Sequence, residues 1–175
     1  MIHLYTGDGK GKTTAAVGLA VRAAGSGMRV IFAQFMKGND TGELHVLQEL
    51  SNVRILRSQK QFGFYKTLRE DQKVELTRIH DGLLEEIIEA VQKRACDMVI
   101  LDEITYPVNW ALIEAARLKE LISMVQNCGE GAPELVLTGR NPADFLMDCA
   151  DYVTQMQEVR HPFQKGIAAR KGIEY

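Results

Sequence analysis

The sequence TGDGKGKTT, residues 6–14, decides the fold class of this chain. It follows a short β-rich run at residues 2–6 and precedes an alanine-rich stretch that predicts a helix over residues 12–24. A glycine-rich turn between a strand and a helix presents backbone N–H groups and a helix N-terminus, which together can surround phosphate oxygens. The alternative, a glycine-rich turn that carries a surface lysine, does not account for this strand and helix context.

This glycine loop matches the phosphate-binding pattern G-x-x-x-x-G-K-[ST] with one shift. Gly11, Lys12 and Thr13 fit the pattern, but Thr6 holds the place of the first glycine and Gly7 comes one residue late. Lys12 is predicted to reach phosphate as a point charge, and the Thr13 hydroxyl is predicted to bind Mg²⁺. The predicted nucleotide-binding residues are Gly7, Asp8, Gly9, Lys10, Gly11, Lys12, Thr13 and Thr14.

The rest of the chain alternates apolar strands with helices. The strands lack the in-and-out alternation of a half-exposed sheet, which predicts a mostly parallel sheet covered on both faces. The expected fold is a three-layer α/β domain of the P-loop NTPase-like (RecA-like) type, formed by residues 1–175 as a single domain. Further strands are predicted at 29–35, 53–57, 98–103, 134–138 and 152–156, and further helices at 68–94, 112–126 and 142–149, the last begun by Asn141.

Two acids end the most apolar strand, MVILDE at residues 98–103. In proteins with a phosphate-binding glycine loop, an acid at this position holds Mg²⁺ directly or through water. Asp102 and Glu103 are therefore predicted, with Thr13, as magnesium ligands, and Glu103 also joins Lys12 and Thr13 as a predicted catalytic residue. The alternative is that the aspartate only caps a following helix.

Charge and composition exclude several classes of protein. The net charge is −2 and the sequence contains no block of Lys or Arg, so a nucleic-acid partner is not expected. No apolar run approaches the roughly 18 residues of a membrane span, and the first residues lack a basic and then apolar leader. We therefore expect a cytoplasmic protein without a membrane partner. The cysteines, far apart at Cys96, Cys128 and Cys149, suggest no transition-metal site.

Six segments, spread over almost the whole chain, are more specific than the glycine loop because together they match the sequence pattern of one protein family. They are YTGDGKGKTTAAVG at 5–18, QFMKG at 34–38, GF at 63–64, LDEITY at 101–106, LTGRNPADFLMDCAD at 137–151 and HPFQKGIAARKGIEY at 161–175. In these segments the sequence resembles the ATP:corrinoid adenosyltransferases, which transfer the adenosyl group of ATP to the cobalt of vitamin B12 precursors. The shifted glycine loop resembles this family's own form of the motif.

The resemblance implies a particular reaction. Co(I) of a reduced corrinoid attacks the ribose 5′ carbon of ATP and expels triphosphate, with Mg²⁺ bound to the ATP and no general base. The family also implies cobalamin biosynthesis as the process, a homodimer, and a flavoprotein as the reductant that makes Co(I). Two alternatives remain open: an ATPase or small-molecule kinase in which Glu103 orients the acceptor at the γ-phosphate, and a module that binds ATP without chemistry.

The resemblance also implies where the corrinoid binds. Phe64 matches a family residue that packs beneath the corrin, and Tyr65 lies beside it in the candidate lid, QFGFYKTL at 61–68. Lys66 stands where family members have a tryptophan, so that Tyr65 or Phe62 is expected to supply the ring. Arg140 is the third predicted corrinoid-binding residue, with a phosphate contact or a structural salt bridge as alternatives. The alternative for the lid is a loop whose aromatic side chains close over the core.

Overall fold

The structure is a computed structural model that describes residues 1–38, 40–58, 60, 62–63 and 65–173. Within these residues six strands alternate with six α-helices, and two 3-10 turns lie at Tyr65–Thr67 and Pro162–Lys165. The strands are β1 Ile2–Thr6, β2 Val30–Gln34, β3 Val53–Arg57, β4 Met98–Asp102, β5 Glu134–Thr138 and β6 Tyr152–Gln155. The helices are α1 Lys12–Gly25, α2 Gly42–Leu47, α3 Glu70–Gln92, α4 Thr105–Asn109, α5 Ala115–Asn127 and α6 Asp144–Asp148.

The six strands form one sheet in the order β3-β2-β4-β5-β1-β6. Every pair of neighbouring strands is parallel, so the predicted α/β fold with its parallel sheet is confirmed. Strand β5 lies between β1, which leads into the glycine loop, and β4, which ends at Asp102. Gln34 at the end of β2 lies opposite Asp102 in the register. The carboxyl ends of these strands therefore meet along one edge of the sheet, where ligands bind in such folds.

Alternate strand residues divide the core between the two faces of the sheet. On one face Leu4, Leu101 and their neighbours are buried with side chains from α3, α5 and α6. On the other face Phe32 and Ile100 are buried with alanines of α1 and with α2. Burial on both faces explains why β2 and β4 read as continuous apolar runs, and it produces the predicted three layers. The edge strand β6, in contrast, is exposed at all four residues.

The sequence located the strands and the long helices well and the short helices poorly. It missed α2 and α4, because five or six residues are too few to show a helical period. Helix α4 begins at Thr105, between the strand predicted at 98–103 and the helix predicted at 112–126. The helix predicted at 142–149 with Asn141 as its first residue spans only Asp144–Asp148, since Asn141 adopts a φ of 48° and Ala143 is extended. Among the described residues, no helix is both long and apolar enough to cross a membrane.

Candidate active site

The glycine loop is shaped by close contact with the chain that follows β6. Met156 donates its N–H to the Thr6 carbonyl at 2.8 Å and accepts the Gly9 N–H at 2.7 Å. A Cβ on Gly7 would lie 2.4 Å from the Met156 carbonyl oxygen, and Gly7 has a φ of 97°, which favours glycine. Thr6 is still a residue of β1, where a side chain is tolerated. The first glycine is therefore needed at position 7, directly after the strand ends, and not at position 6, which is still part of the strand.

The side chain of Lys12 turns back into the glycine loop that precedes this residue in the sequence. It is the first residue of α1, and its side chain is buried although it carries a charge. The ammonium donates to the carbonyl of Gly7 at 2.7 Å and to that of Gly9 at 2.8 Å. Burial lowers the pKa of Lys12, and the nearby charge of Arg140 lowers it further. The loop thus holds a desolvated cation at its centre, which suits the binding of a polyanion.

Asp102 is the centre of a hydrogen-bonded cluster and is fully buried. Its Oδ1 accepts from the hydroxyl of Thr13 at 2.9 Å and from that of Thr138 at 2.7 Å. Its Oδ2 accepts from the ammonium of Lys37 at 2.8 Å, while the Gln34 amide lies 3.4 Å away. The ends of β2, β4 and β5 and the start of α1 are thereby joined through one carboxylate. The structure thus brings together Asp102 and Thr13, two of the three residues that the sequence predicts as magnesium ligands.

Glu103 lies beside this cluster in an unusual conformation. Its φ is 63°, and its N–H donates to the Thr138 hydroxyl at 2.9 Å. Among the described residues, its Oε2 is one of few buried polar side-chain atoms without a hydrogen-bond partner. Burial raises the pKa of Glu103, although the Lys37 ammonium at 3.8 Å opposes that shift. A strained backbone and an unpaired buried oxygen are features of functional sites.

A cleft of about 1030 Å³ opens over the carboxyl ends of β1, β2 and β4. The glycine loop from Gly9 to Thr14 forms part of its wall, as do Lys37, Glu103 and Arg140. His161 and Ile173 of the C-terminal segment also line it, so the last part of the described chain returns to the site. Most of the residues predicted for the site are therefore brought into one cavity, with Asp102 buried directly behind it.

An apolar cluster, which we call the aromatic wall, lies beside the cleft, and its members Met36, Phe62 and Leu76 line the cavity. Leu68, Leu76 and Leu112 are buried there, and Phe62 and Trp110 are partly buried against them. The rings of Tyr65 and Trp110 are stacked at 4.4 Å with only 8° between their planes. Tyr106 in α4 contacts the same tryptophan at a centroid distance of 5.0 Å. Lys66 is exposed. Phe64, which was predicted to contact the corrinoid, lies outside the described residues.

Arg140 belongs to the phosphate side of the cleft. Its guanidinium donates to the backbone carbonyl of Asp8 at 3.0 Å.

The sequence assigned no role in the metal site to Lys37, Gln34 or Thr138, which all contact Asp102. The signal that could have found them is their position, since each lies at or just after the carboxyl end of a strand that neighbours β4.

Comparison with known proteins decides the family. The model of the family described as ATP:corrinoid adenosyltransferase BtuR/CobO/CobP matches residues 1–175. The chain belongs to this family. It therefore transfers the adenosyl group of ATP to a corrinoid, as the resemblance in the sequence implied.

Several bacterial adenosyltransferases are similar to this chain along its whole length. The corrinoid adenosyltransferase CobA of Salmonella typhimurium is 34% identical over 176 residues, which cover 100% of this chain and 85% of the relative. A corrinoid adenosyltransferase of Sinorhizobium sp is 31% identical and covers 100% and 80%, and one of Escherichia coli K12 is 32% identical and covers 100% and 85%.

One solved structure supports the fold. The KaiC-like protein PH0186 from Pyrococcus horikoshii OT3 superposes with a TM-score of 0.56 over 91% of this chain and 72% of that chain. Its sequence is 16% identical to this one, so the likeness concerns the arrangement of strands and helices alone.

Proposed function

We propose that adenosyl transfer takes place in the cleft, with the triphosphate of ATP bound by residues 7–14 and the ribose directed toward the aromatic wall. The observation that carries this proposal is the Thr13–Asp102 hydrogen bond, because it joins the glycine loop to the acid that ends β4. The loop N–H groups and the Lys12 ammonium would face the phosphates.

Mg²⁺ fits the donor set at this position. Thr13, Asp102 and Glu103 offer a hydroxyl and carboxylate oxygens, which this ion prefers, and Glu103 Oε2 has a lone pair to give. Among the described residues no three His, Cys, Asp or Glu side chains gather into a metal cage. That agrees with an ion held by one or two protein oxygens together with substrate phosphates. When bound, the ion would neutralise part of the charge of the triphosphate.

The proposed reaction is a displacement at carbon. The electron pair of Co(I) forms the new cobalt–carbon bond, the bond from C5′ to its oxygen breaks, and its electron pair leaves on triphosphate. Negative charge therefore grows on the departing oxygen, where Lys12 and the loop N–H groups would stabilise it. The buried Lys12 requires little reorganisation for this role, because its ammonium is already fixed within the loop.

The corrinoid would occupy the aromatic end of the cleft. We assign its binding to Phe64 and to Tyr65, which Trp110 holds by stacking. For Arg140 the contact with the Asp8 carbonyl favours a role beside the phosphates over a contact with the corrin. The proposal also includes residues 1–175 as a single domain and a cytoplasmic location, both of which rest on the sequence pattern. A homodimer, a flavoprotein reductant and a role in cobalamin biosynthesis complete it, and these rest on the family relationship.

The identity of the phosphorus product tests the proposal. The purified protein is incubated with Mg²⁺ and ATP, with and without chemically reduced cobalamin, and ³¹P NMR follows the products. We expect triphosphate, formed only when the corrinoid is present. Lys12→Met should lower the rate by about a hundredfold or more, whereas Lys93→Met, at the exposed end of α3, should leave it unchanged. ADP and phosphate released without corrinoid would refute adenosyl transfer.

A further inference from the structure

Lys37 is the cation that contacts the proposed magnesium ligands in this structure. Its ammonium lies 2.8 Å from Asp102 Oδ2, 3.2 Å from the Thr13 hydroxyl oxygen and 3.8 Å from Glu103 Oε1. These are the same three residues whose oxygens suit Mg²⁺. One ammonium therefore lies among all three predicted ligands, within hydrogen-bond distance of Asp102 and Thr13 and at ion-pair distance from Glu103.

The position of Lys37 is fixed by the backbone around it. Gln34 pairs with Asp102 in the sheet, and the Phe35 N–H donates to the Asp102 carbonyl at 2.9 Å. Met36 then turns the chain with a φ of 58°, which places the next residue over the carboxylate. The Lys37 side chain keeps about a quarter of its surface exposed toward the cleft, whereas Asp102 has none. The ammonium can therefore move out into the cleft, while the carboxylate cannot follow it.

The charges around Lys37 favour the ammonium form. Burial lowers the pKa of this lysine, but Asp102 and Glu103 outweigh that effect and leave the pKa above its ordinary value. Without a cation beside it, the fully buried Asp102 would keep only hydrogen bonds from neutral groups, which is unfavourable for a carboxylate. A cation at this point therefore stabilises the folded site.

We infer that the Lys37 ammonium and Mg²⁺ compete for one set of oxygens, and that Lys37 moves to the triphosphate when Mg²⁺ enters with ATP. The inference rests on the magnesium and ATP site of the proposed function, and is independent of the corrinoid. A divalent ion and an ammonium cannot both contact Asp102 Oδ2 closely, because their charges repel. The incoming triphosphate supplies the new anionic partner within the same cleft, which Lys37 already lines. Lys37 thus becomes a phosphate-binding residue in the loaded enzyme.

The inference predicts opposite effects of one substitution in two conditions. Removing the ammonium should strengthen the binding of a divalent ion when ATP is absent, because the competitor is gone. The same change should weaken the binding of the ion with ATP, because a phosphate contact is lost. A lysine with a purely structural role would weaken both, and a lysine with no part in the site would change neither.

The test measures Mn²⁺ binding by electron paramagnetic resonance on the full chain. Lys37→Met should bind Mn²⁺ at least about tenfold more tightly than the unmodified protein without ATP, and about tenfold more weakly with ATP. Lys37→Gln tests the same point with a side chain that can still donate to Asp102, should the methionine variant fail to fold. Lys93→Met serves as the matched control and should follow the unmodified protein.

Two results would overturn the inference. Equal Mn²⁺ affinities of the lysine and its replacements without ATP would show that the ammonium does not compete. Weaker binding by the replacements in both conditions would assign Lys37 a structural role. Neither readout uses cobalamin, so a failure here is distinct from a failure to form triphosphate in the product assay.

Discussion

The two ends of the cleft are built in opposite ways. At the phosphate end Asp102 and Thr138 are fully buried, and Asp102 accepts hydrogen bonds from Thr138 at 2.7 Å and from Thr13 at 2.9 Å. At the other end Phe62 and Leu76 line the cleft and belong to one apolar cluster with the stacked rings of Tyr65 and Trp110. The C-terminal segment, which also lines the cleft, is largely exposed from residue 157 to 173. A triphosphate needs donors fixed in advance, since their geometry stabilises the departing charge. A broad planar corrin needs room and apolar surface instead.

The largest expected effect comes from adding one methyl group at the phosphate end. Gly9 lacks a positive φ, so only space limits this position, and a Cβ there would lie 2.8 Å from the backbone of Met156 and Gln157. If this end is rigid, Gly9→Ala should lower the free energy of unfolding by about 2 to 3 kcal/mol. Urea denaturation measures the loss, and ATP binding should weaken with it because the loop must shift.

The matched control for this substitution lies in α3. Gly82 is exposed, is helical, and would meet no atom within 4 Å of an added Cβ. Gly82→Ala should therefore raise the free energy of unfolding by up to about 1 kcal/mol through helix propensity. If Gly9→Ala were as well tolerated as Gly82→Ala, the glycine loop would be adaptable, and the contrast between the two ends would fail.

The same contrast explains what the sequence could predict. The phosphate end is built from residues close to one another in the chain or at strand ends, so local patterns were enough to predict Lys12, Thr13 and Asp102 as site residues. The aromatic end depends on Tyr65 meeting Trp110, two residues far apart in the sequence, and no spacing rule connects them. Lys37 was overlooked as a partner of Asp102 because strand order, which pairs β2 with β4, is not visible in the sequence.

A smaller effect, confined to the corrinoid, is expected from the aromatic end. Trp110→Ala removes the ring on which Tyr65 stacks, and such pairs contribute about 1 kcal/mol beyond their buried area. We expect the KM for the corrinoid to rise by about fivefold, while the KM for ATP stays the same. Steady-state kinetics with each substrate varied in turn measures both constants.

Two further variants make the tryptophan result specific. Trp110→Phe keeps a ring beside Tyr65 and should retain most of the corrinoid affinity. Tyr152→Ala removes a comparable stacked ring, paired with His3 at 4.8 Å on the edge strand, and should change neither constant. An equal rise of both KM values in Trp110→Ala would mean that the aromatic wall supports the whole site rather than the corrinoid end.

The smallest effect should come from His80, which connects the two ends. This buried histidine has Nδ1 2.8 Å from the Leu112 carbonyl and Nε2 3.4 Å from the Met36 N–H. Only the neutral ring can donate through the first nitrogen and accept through the second. A proton on the second nitrogen would break the contact with Met36, the residue before Lys37, so the charge state of His80 links the apolar cluster to the phosphate end.

Burial lowers the pKa of His80, although its hydrogen bond to Leu112 and the charge of Asp81 oppose that shift. The unfolded chain therefore takes up a proton near pH 6.5 while the folded chain does not. The stability that the neutral ring provides is present above that pH and is lost as the pH falls below it.

In His80→Gln the free energy of unfolding should therefore decline less steeply between pH 7.5 and 5.5 than in the unmodified protein. The difference between the two slopes should be a fraction of about 1.4 kcal/mol per pH unit, which is the limit for one proton. If the free energy of unfolding of His80→Gln declines as steeply as that of the unmodified protein, folding does not lower the pKa of His80, and the proposed link through the neutral ring fails.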